Sequence, residues 1–261
     1  MNRSPLLTEQ RGPVRWVRLN RPQQRNALDD TLIEALDRAL TEAEADPDTT
    51  VLVVAGEGRS FCAGADLGHL VGLAEQGHKP VEFLSRVSEL FTRIENSSLP
   101  VVAAVHGHAV AGGMELALAC DVVIAAEDAL LGDGHVRNQL LPAGGASVRL
   151  PQRVGVNLAR YLMLTGKLVP AQELYGACAW LHSTVPAAHL ERAVQEVADE
   201  LAAVAGPAQG RVKQLLATTL SLPPQQGLDA ELATFAAHWD TAPVADALRT
   251  FLNRRPEVSR T

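Results

Sequence analysis

The chain has 261 residues, 47% of them hydrophobic, which suits one large domain, or a core with a small helical appendage, and excludes a disordered chain. A net charge of −7 excludes nucleic acid as a general partner, because phosphate neutralisation needs a basic surface, but leaves room for a local basic pocket. Three cysteines, Cys62, Cys120 and Cys178, lie far apart in apolar settings, so they read as free buried thiols of a reducing cytosol rather than zinc ligands or a disulfide framework. The opening MNRSPLLTEQRGPVRW lacks the apolar centre of a secretion signal. Residues 99–126 are the longest apolar stretch, but two His, three Gly, a Glu and an Asp rule out a membrane span there. A cytoplasmic location is expected.

In chain order, residues 14–19 (VRWVRL) alternate as a half-exposed strand does, and residues 20–26 (NRPQQRN) form a polar turn. Asp29 or Asp30 then caps a helix with Leu32, Ile33, Leu36, Ala39 and Leu40 at helical spacing, stopped by Asp46-Pro47-Asp48. Residues 51–54 (VLVV) are a buried strand, which completes a β–α–β unit and favours a right-handed crossover between parallel strands. After Gly56-Glu57-Gly58, the segment 60–66 (SFCAGAD) has small residues that let a ligand approach the backbone. Helices are expected over 67–73 and 81–94, joined by the polar connection 74–80.

The chain is organised around residues 99–150. Residues 101–105 (VVAAV) are a buried strand, 106–113 (HGHAVAGG) a small-residue loop, 114–120 a helix and 122–124 another buried strand. A strand, a glycine pair and a helix start leave unpaired N–H groups at a helix N-terminus, a place that holds negative charge. Glu115, three residues after Gly112, is one carboxylate in an otherwise apolar segment. Gly132-Asp133-Gly134-His135 and Leu141-Pro142-Ala143-Gly144-Gly145-Ala146 are glycine-rich loops of the kind that border a ligand. Beyond them, helices are expected over 149–164, 171–179, 187–205, 207–220 and 224–254, with a short strand over 180–185.

Four segments together resemble the crotonase superfamily, the enoyl-CoA hydratase/isomerase group, over nearly the full length. Asn20-Arg21-Pro22 with Arg25-Asn26-Ala27-Leu28 is similar to its N-R-P…N-A-L signature, and Ser60-Phe61-Cys62-Ala63-Gly64-Ala65-Asp66 to its F-x-A-G-x-D segment. Residues 106–117 resemble its G-x-A-x-G-G-G-x-E-L-A segment, and Leu141-Pro142 with Gly144-Gly145 and Arg149-Leu150 its P-G-x-G-x-x-R-L segment.

The resemblance implies an α/β fold, a crotonase-like spiral of ββα units with a C-terminal helical subdomain. Residues 1–190 would be the core with the acyl-CoA site and 191–261 the helical oligomerisation region of a homotrimer or hexamer. It implies an acyl-CoA thioester substrate, as in fatty acid metabolism, and no metal or cofactor besides the CoA of the substrate. It further implies an oxyanion hole of the Ala65 and Gly112 N–H groups, with Arg25, Ala27, Ala63, Asp66 and Gly113 around the substrate. Arg25 and Lys213 are candidates for the CoA phosphates.

In hydratases of this family two glutamates flank the reacting carbons. Glu115 matches the first, and the second position falls on His135, a departure. An imidazole titrates near neutral pH and can share acid and base roles with one carboxylate. The other readings are a structural His135, with Asp133 as a stand-in. His106 and His108, beside the oxyanion loop, read as hydrogen-bonded spacers. The expected reaction is syn hydration of a trans-2-enoyl-CoA by Glu115, with His135 assisting at Cα. The alternatives are isomerisation, C–C or thioester hydrolysis, and a non-catalytic acyl-CoA binder.

Overall fold

The structure, a computed structural model, describes residues 4–253. It opens with a hairpin: β1 (Leu6–Arg11) turns at Gly12, at φ +56°, and β2 (Val14–Leu19) returns antiparallel with Leu6 opposite Leu19. α1 (Asp30–Ala45) is capped by Asp29, which accepts from the Leu32 N–H at 2.9 Å, and it buries Leu32, Ile33, Leu36 and Leu40. It delivers the chain to β3 (Val51–Gly56), parallel to β2, the crossover the β–α–β pattern predicts. α2 (Leu67–Glu75) and α3 (Val81–Asn96) lead to β4 (Val101–Val105), parallel to β3.

The expected loop 106–113 contains a strand, β5 (His108–Val110), and the helix after it, α4 (Gly112–Ala119), starts at Gly112 rather than Met114. β6 (Val122–Ala126) returns parallel to β4. β7 (Leu130–Gly132), α5 (Ala146–Val154), α6 (Val156–Thr165), β8 (Val169–Pro170) and α7 (Ala171–Ala177) precede β9 (Ser183–Val185). The main sheet runs β1-β2-β3-β4-β6-β9, and β5, β7 and β8 form a second, three-stranded sheet. β3 and β4 are buried throughout, as parallel strands covered on both faces are. α8 (Leu190–Ala203), counted above with the C-terminal region, packs across β3, β4 and β6.

The chain divides into two compact units, the first ending at Ala205. The second holds α9 (Pro207–Thr219), α10 (Pro224–Thr241) and α11 (Val244–Asn253). The single helix expected over 224–254 is two: Ala242 leaves the helical region at φ −112°, ψ 154°, as the residue before Pro243 is disposed to do. Residue 254 lies outside the described residues. Among those residues no helix is long and apolar enough to cross a membrane.

Candidate active site

Two loops meet where α4 begins. The segment 60–66 is pinned on one side by Cys62, which donates to the His108 carbonyl at 3.0 Å and accepts from the Val110 N–H at 3.1 Å. On the other side the Leu28 N–H donates to the Gly64 carbonyl and the Asp66 N–H to the Leu28 carbonyl, both at 2.8 Å. In such a parallel bridge the N–H of the intervening Ala65 faces away from Leu28. Gly112 is the first residue of α4, where an N–H has no intrahelical partner.

These two amides are neighbours. A Cβ placed on Gly112 would lie 3.4 Å from the Ala65 nitrogen, and one on Gly64 would lie 3.1 Å from the Gly112 nitrogen. Among the described residues neither N–H is donated to a hydrogen bond. Ala111, just before α4, takes φ 50°, ψ −117°, a region that disfavours a Cβ, and is held there by its N–H on the Gly132 carbonyl at 3.0 Å. Gly113 faces the other way: a Cβ there would run into the Cys62 carbonyl, so this glycine lets α4 pack directly on the 60–66 backbone.

One helical turn beyond Gly112, the Glu115 side chain is only 3% exposed. A carboxylate so buried costs several kcal/mol unless it is met by donors. Its Oε1 accepts from the Gly144 and Ala146 N–H groups, each at 2.9 Å. Hydrogen bonds to a charged group contribute about 1.5–3 kcal/mol each, so the two offset much of that cost. Burial still pushes the Glu115 carboxyl above its ordinary range, against the pull of the two amides and of His135. The turn that supplies the amides is itself clamped, since Arg149 donates to the Gly144 carbonyl at 2.8 Å and pairs with Glu95 at 2.8 Å.

Glu115 Oε2 is left facing His135 Nε2 at 3.8 Å, and His135 Nδ1 lies 3.0 Å from Asp133 Oδ1. Burial pulls the His135 pKa down, but the Asp133 hydrogen bond and the charges of Glu115 and Asp133 outweigh it and hold the imidazole above its ordinary range. A gap of 3.8 Å is too long for a good direct hydrogen bond and short enough for one water oxygen to reach both groups.

Arg25, Ala27, Ala63 and Asp66 belong to the two loops that frame the amides. Asn26 is fully buried and donates to the Glu57 and Ser60 carbonyls at 2.9 and 2.7 Å, while its neighbour Arg25 is exposed with φ 51°. The Ala63 N–H donates to the Arg25 carbonyl at 3.0 Å. Arg21 donates to the Ala27 carbonyl and pairs with Asp29 at 2.9 Å and Asp66 at 3.0 Å, and the Asp66 carboxylate also caps α2. His106 and His108 are spacers, the first bonded to the Gly58 carbonyl at 3.1 Å, the second to the Ser60 hydroxyl at 3.4 Å. Lys213 lies on α9 in the second unit.

The structure therefore gathers Ala65, Gly112, Glu115 and His135 around α4, adds two backbone groups the sequence did not assign, and gives Asp133 a place other than the one expected of it. The Gly144 and Ala146 amides carry no residue-type signal. Asp133 stands behind His135 rather than in its place, and the only hint was a carboxylate two residues from an imidazole across a glycine. Among the described residues no cluster of three or more His, Cys, Asp or Glu could hold a metal ion. The arrangement can place an oxygen on two N–H donors and move protons at a carboxylate and an imidazole one turn away.

The family model for "Enoyl-CoA hydratase/isomerase" matches residues 9–259. A "Probable enoyl-CoA hydratase" of Rhizobium meliloti (strain 1021) is 33% identical over 98% of this chain and 97% of its own. A "Putative enoyl-CoA hydratase" of Thermus thermophilus is 36% identical over 95% of this chain and 97% of its own. The crystal structure of an enoyl-CoA hydratase from Bacillus anthracis, 31% identical, superposes with a TM-score of 0.88 over 96% of this chain and 97% of that one.

Proposed function

Because the chain belongs to the enoyl-CoA hydratase/isomerase family, we propose that it adds water across the Cα=Cβ bond of a 2-enoyl-CoA thioester. Attack of water at Cβ drives electrons onto the thioester oxygen, to which the Ala65 and Gly112 N–H groups donate hydrogen bonds. One such preorganised donor contributes about 3 kcal/mol of barrier lowering in other enzymes. Glu115 Oε2 takes the proton from the attacking water, and imidazolium His135 gives its Nε2 proton to Cα. The proton left on Glu115 then returns to His135 across the gap, which resets the pair.

The observation that carries this reading is the division of the Glu115 carboxylate. Oε1 is occupied by two backbone amides, and Oε2 faces His135 at 3.8 Å. Burial, which raises the carboxyl pKa, makes Glu115 a stronger base than a surface carboxylate. The steps are redox-neutral and call on no cofactor besides the CoA of the substrate. Arg25, Ala27, Ala63, Asp66 and Gly113 surround the thioester in this reading, and the setting is cytoplasmic acyl-CoA metabolism.

A second reading rests on the 3.0 Å bond between Asp133 and His135. An imidazole oriented by a carboxylate can also activate water for attack on the thioester carbonyl or on a C–C bond. A panel of acyl-CoA thioesters followed by mass spectrometry separates the two. Hydration adds the mass of one water to an enoyl-CoA, isomerisation moves the double bond at constant mass, and hydrolysis releases CoA or a cleaved chain. Glu115→Gln is expected to lower hydration kcat by roughly 10²–10⁴-fold at little cost in acyl-CoA affinity. Full hydration by this variant, or turnover with cleavage only, would sink the hydratase reading.

We also infer a homotrimer or hexamer assembled through the second unit. Its helices expose Leu216, Leu220, Leu232, Phe235, Phe251 and Leu252, large apolar side chains that contact with further copies would cover. Light scattering is expected to give a mass of three or six chains, and a stable monomer at micromolar concentration would count against the assembly.

A further inference from the structure

We propose that Asp133 is a positioning residue for His135, fixing the ring so that Nε2, and not Nδ1, is the nitrogen that exchanges a proton with the reacting centre. The inference rests on the hydratase reading for the identity of the proton acceptor, but not for the orientation of the ring.

Asp133 is 2% exposed and its Oδ1 lies 3.0 Å from His135 Nδ1. An ionised carboxylate only accepts hydrogen bonds, so Nδ1 must carry the hydrogen. Nε2 is then the nitrogen whose proton comes and goes, and it is the one that faces Glu115 Oε2, at 3.8 Å. The backbone sets this up locally. Gly134 takes φ +64°, and the His135 N–H closes a tight turn onto the Asp133 carbonyl at 2.8 Å. A Cβ at Gly134 would meet Val110 Cγ1 at 2.7 Å, so glycine is required here both by conformation and by space. The turn brings two side chains, two residues apart, onto each other. The charged groups that face the imidazole are Asp133 from its own loop and Glu115 from α4; Arg149, on α5, is spent on Gly144 and Glu95.

This arrangement fixes the direction of proton flow. With Nδ1–H tied to Asp133, the imidazolium has one proton to give, from Nε2, toward the space between His135 and Glu115. Without Asp133 the neutral ring can take either tautomer or turn over, and some of its states present the wrong nitrogen.

Histidine ring nitrogens of the full-length protein, labelled with ¹⁵N, report the tautomer directly. The wild-type protein is expected to show His135 protonated at Nδ1 when neutral, and an Nε2–H tautomer would overturn the proposal whatever reaction the protein runs. Asp133→Asn is expected to lower the His135 pKa toward the ordinary imidazole value and to move the alkaline limb of the kcat profile to lower pH. Its kcat loss is bounded by that of His135→Gln, roughly 10²–10⁴-fold, with KM little changed. In a His135→Gln background, Asp133→Asn is expected to cost nothing more. The same fold-loss with and without the imidazole would show Asp133 acting elsewhere and end the proposal. If Asp133→Asn does not fold, the wild-type tautomer alone decides. If no enoyl-CoA is hydrated, the hydratase reading fails while the tautomer measurement still stands or falls on its own.

Discussion

The candidate site has two halves built from different material. In the proposed reaction the working groups of the Ala65–Gly112 half are backbone amides, and the side chains matter by being small enough to stay out of the way. In the same proposal the working groups of the Glu115–His135 half are side chains, and the backbone serves as their scaffold through the Gly144 and Ala146 amides and the Gly134 turn. The first half has almost no freedom. Gly112 and Gly64 touch, and Gly113 lies against Cys62. The second half can change its chemistry by exchanging one residue, since its groups are side chains. A fold that keeps the polarising donors fixed while varying the acid–base partner can host several reactions on one substrate class. Perturbing the first half should therefore damage every reaction alike, while perturbing the second should change rate, pH dependence or outcome.

The largest effect is expected at Gly112. Proline is well suited to the first position of a helix, so Gly112→Pro removes the N–H while α4 can persist. It also asks Ala111, already at φ 50°, to precede a proline, so some distortion accompanies it. Gly112→Ala is the matched control. It keeps the N–H and adds a methyl 3.1 Å from Leu28 Cδ1 and 3.4 Å from the Ala65 nitrogen. Loss of one oxyanion donor costs about 10²–10³-fold in kcat elsewhere. Gly112→Pro is expected to fall at least that far below Gly112→Ala, for whichever substrate the wild type turns over. Equal kcat values for the two variants would show that the N–H plays no part and that the halves do not differ as argued.

What the sequence revealed follows the same division. β2 and β4 occupy the residues that alternation and β-branching predict, and Asp29 caps α1 as its type and position imply. β1 escaped because LLTEQR is exposed along most of its length and carries no period. β5 and β7 escaped because three residues are too few for a period to show. Within the site, Gly112 and Glu115 were legible as one of a glycine pair before a helix and a lone carboxylate in an apolar run. The amides of Gly144 and Ala146 were not, since every residue but proline has one and only tertiary structure says which of them point at a carboxylate. Asp133 was visible as a residue but not as a partner. Its contact with His135 depends on the positive φ of Gly134, which a glycine permits without announcing.

The smallest effect tests the electrostatics of the second half without any substrate. His135 holds its proton more tightly in the folded chain than an ordinary imidazole does, because the Asp133 bond and neighbouring negative charge outweigh its burial. Its contribution to stability is therefore complete below the unfolded value of about 6.5 and is lost as pH rises through the higher folded value. In that window the folded state binds more protons than the unfolded one, so the free energy of unfolding falls as pH rises. Glu115 is also raised, and its contribution too declines with rising pH, starting from the carboxylate value of about 4.3. The two slopes have the same sign and must be separated. The comparison is therefore made between the wild type and His135→Gln, where both chains keep Glu115 and Asp133 and only the imidazole differs. Thermal unfolding of the wild type is expected to lose stability from about pH 6.5 upward more steeply than that of the variant. Superimposable profiles would mean that Asp133 does not hold a proton on His135. The imidazole would then be a loop residue, the gap beside Glu115 would have no acid, and the second half of the site would be as insensitive to pH as the amides of the first.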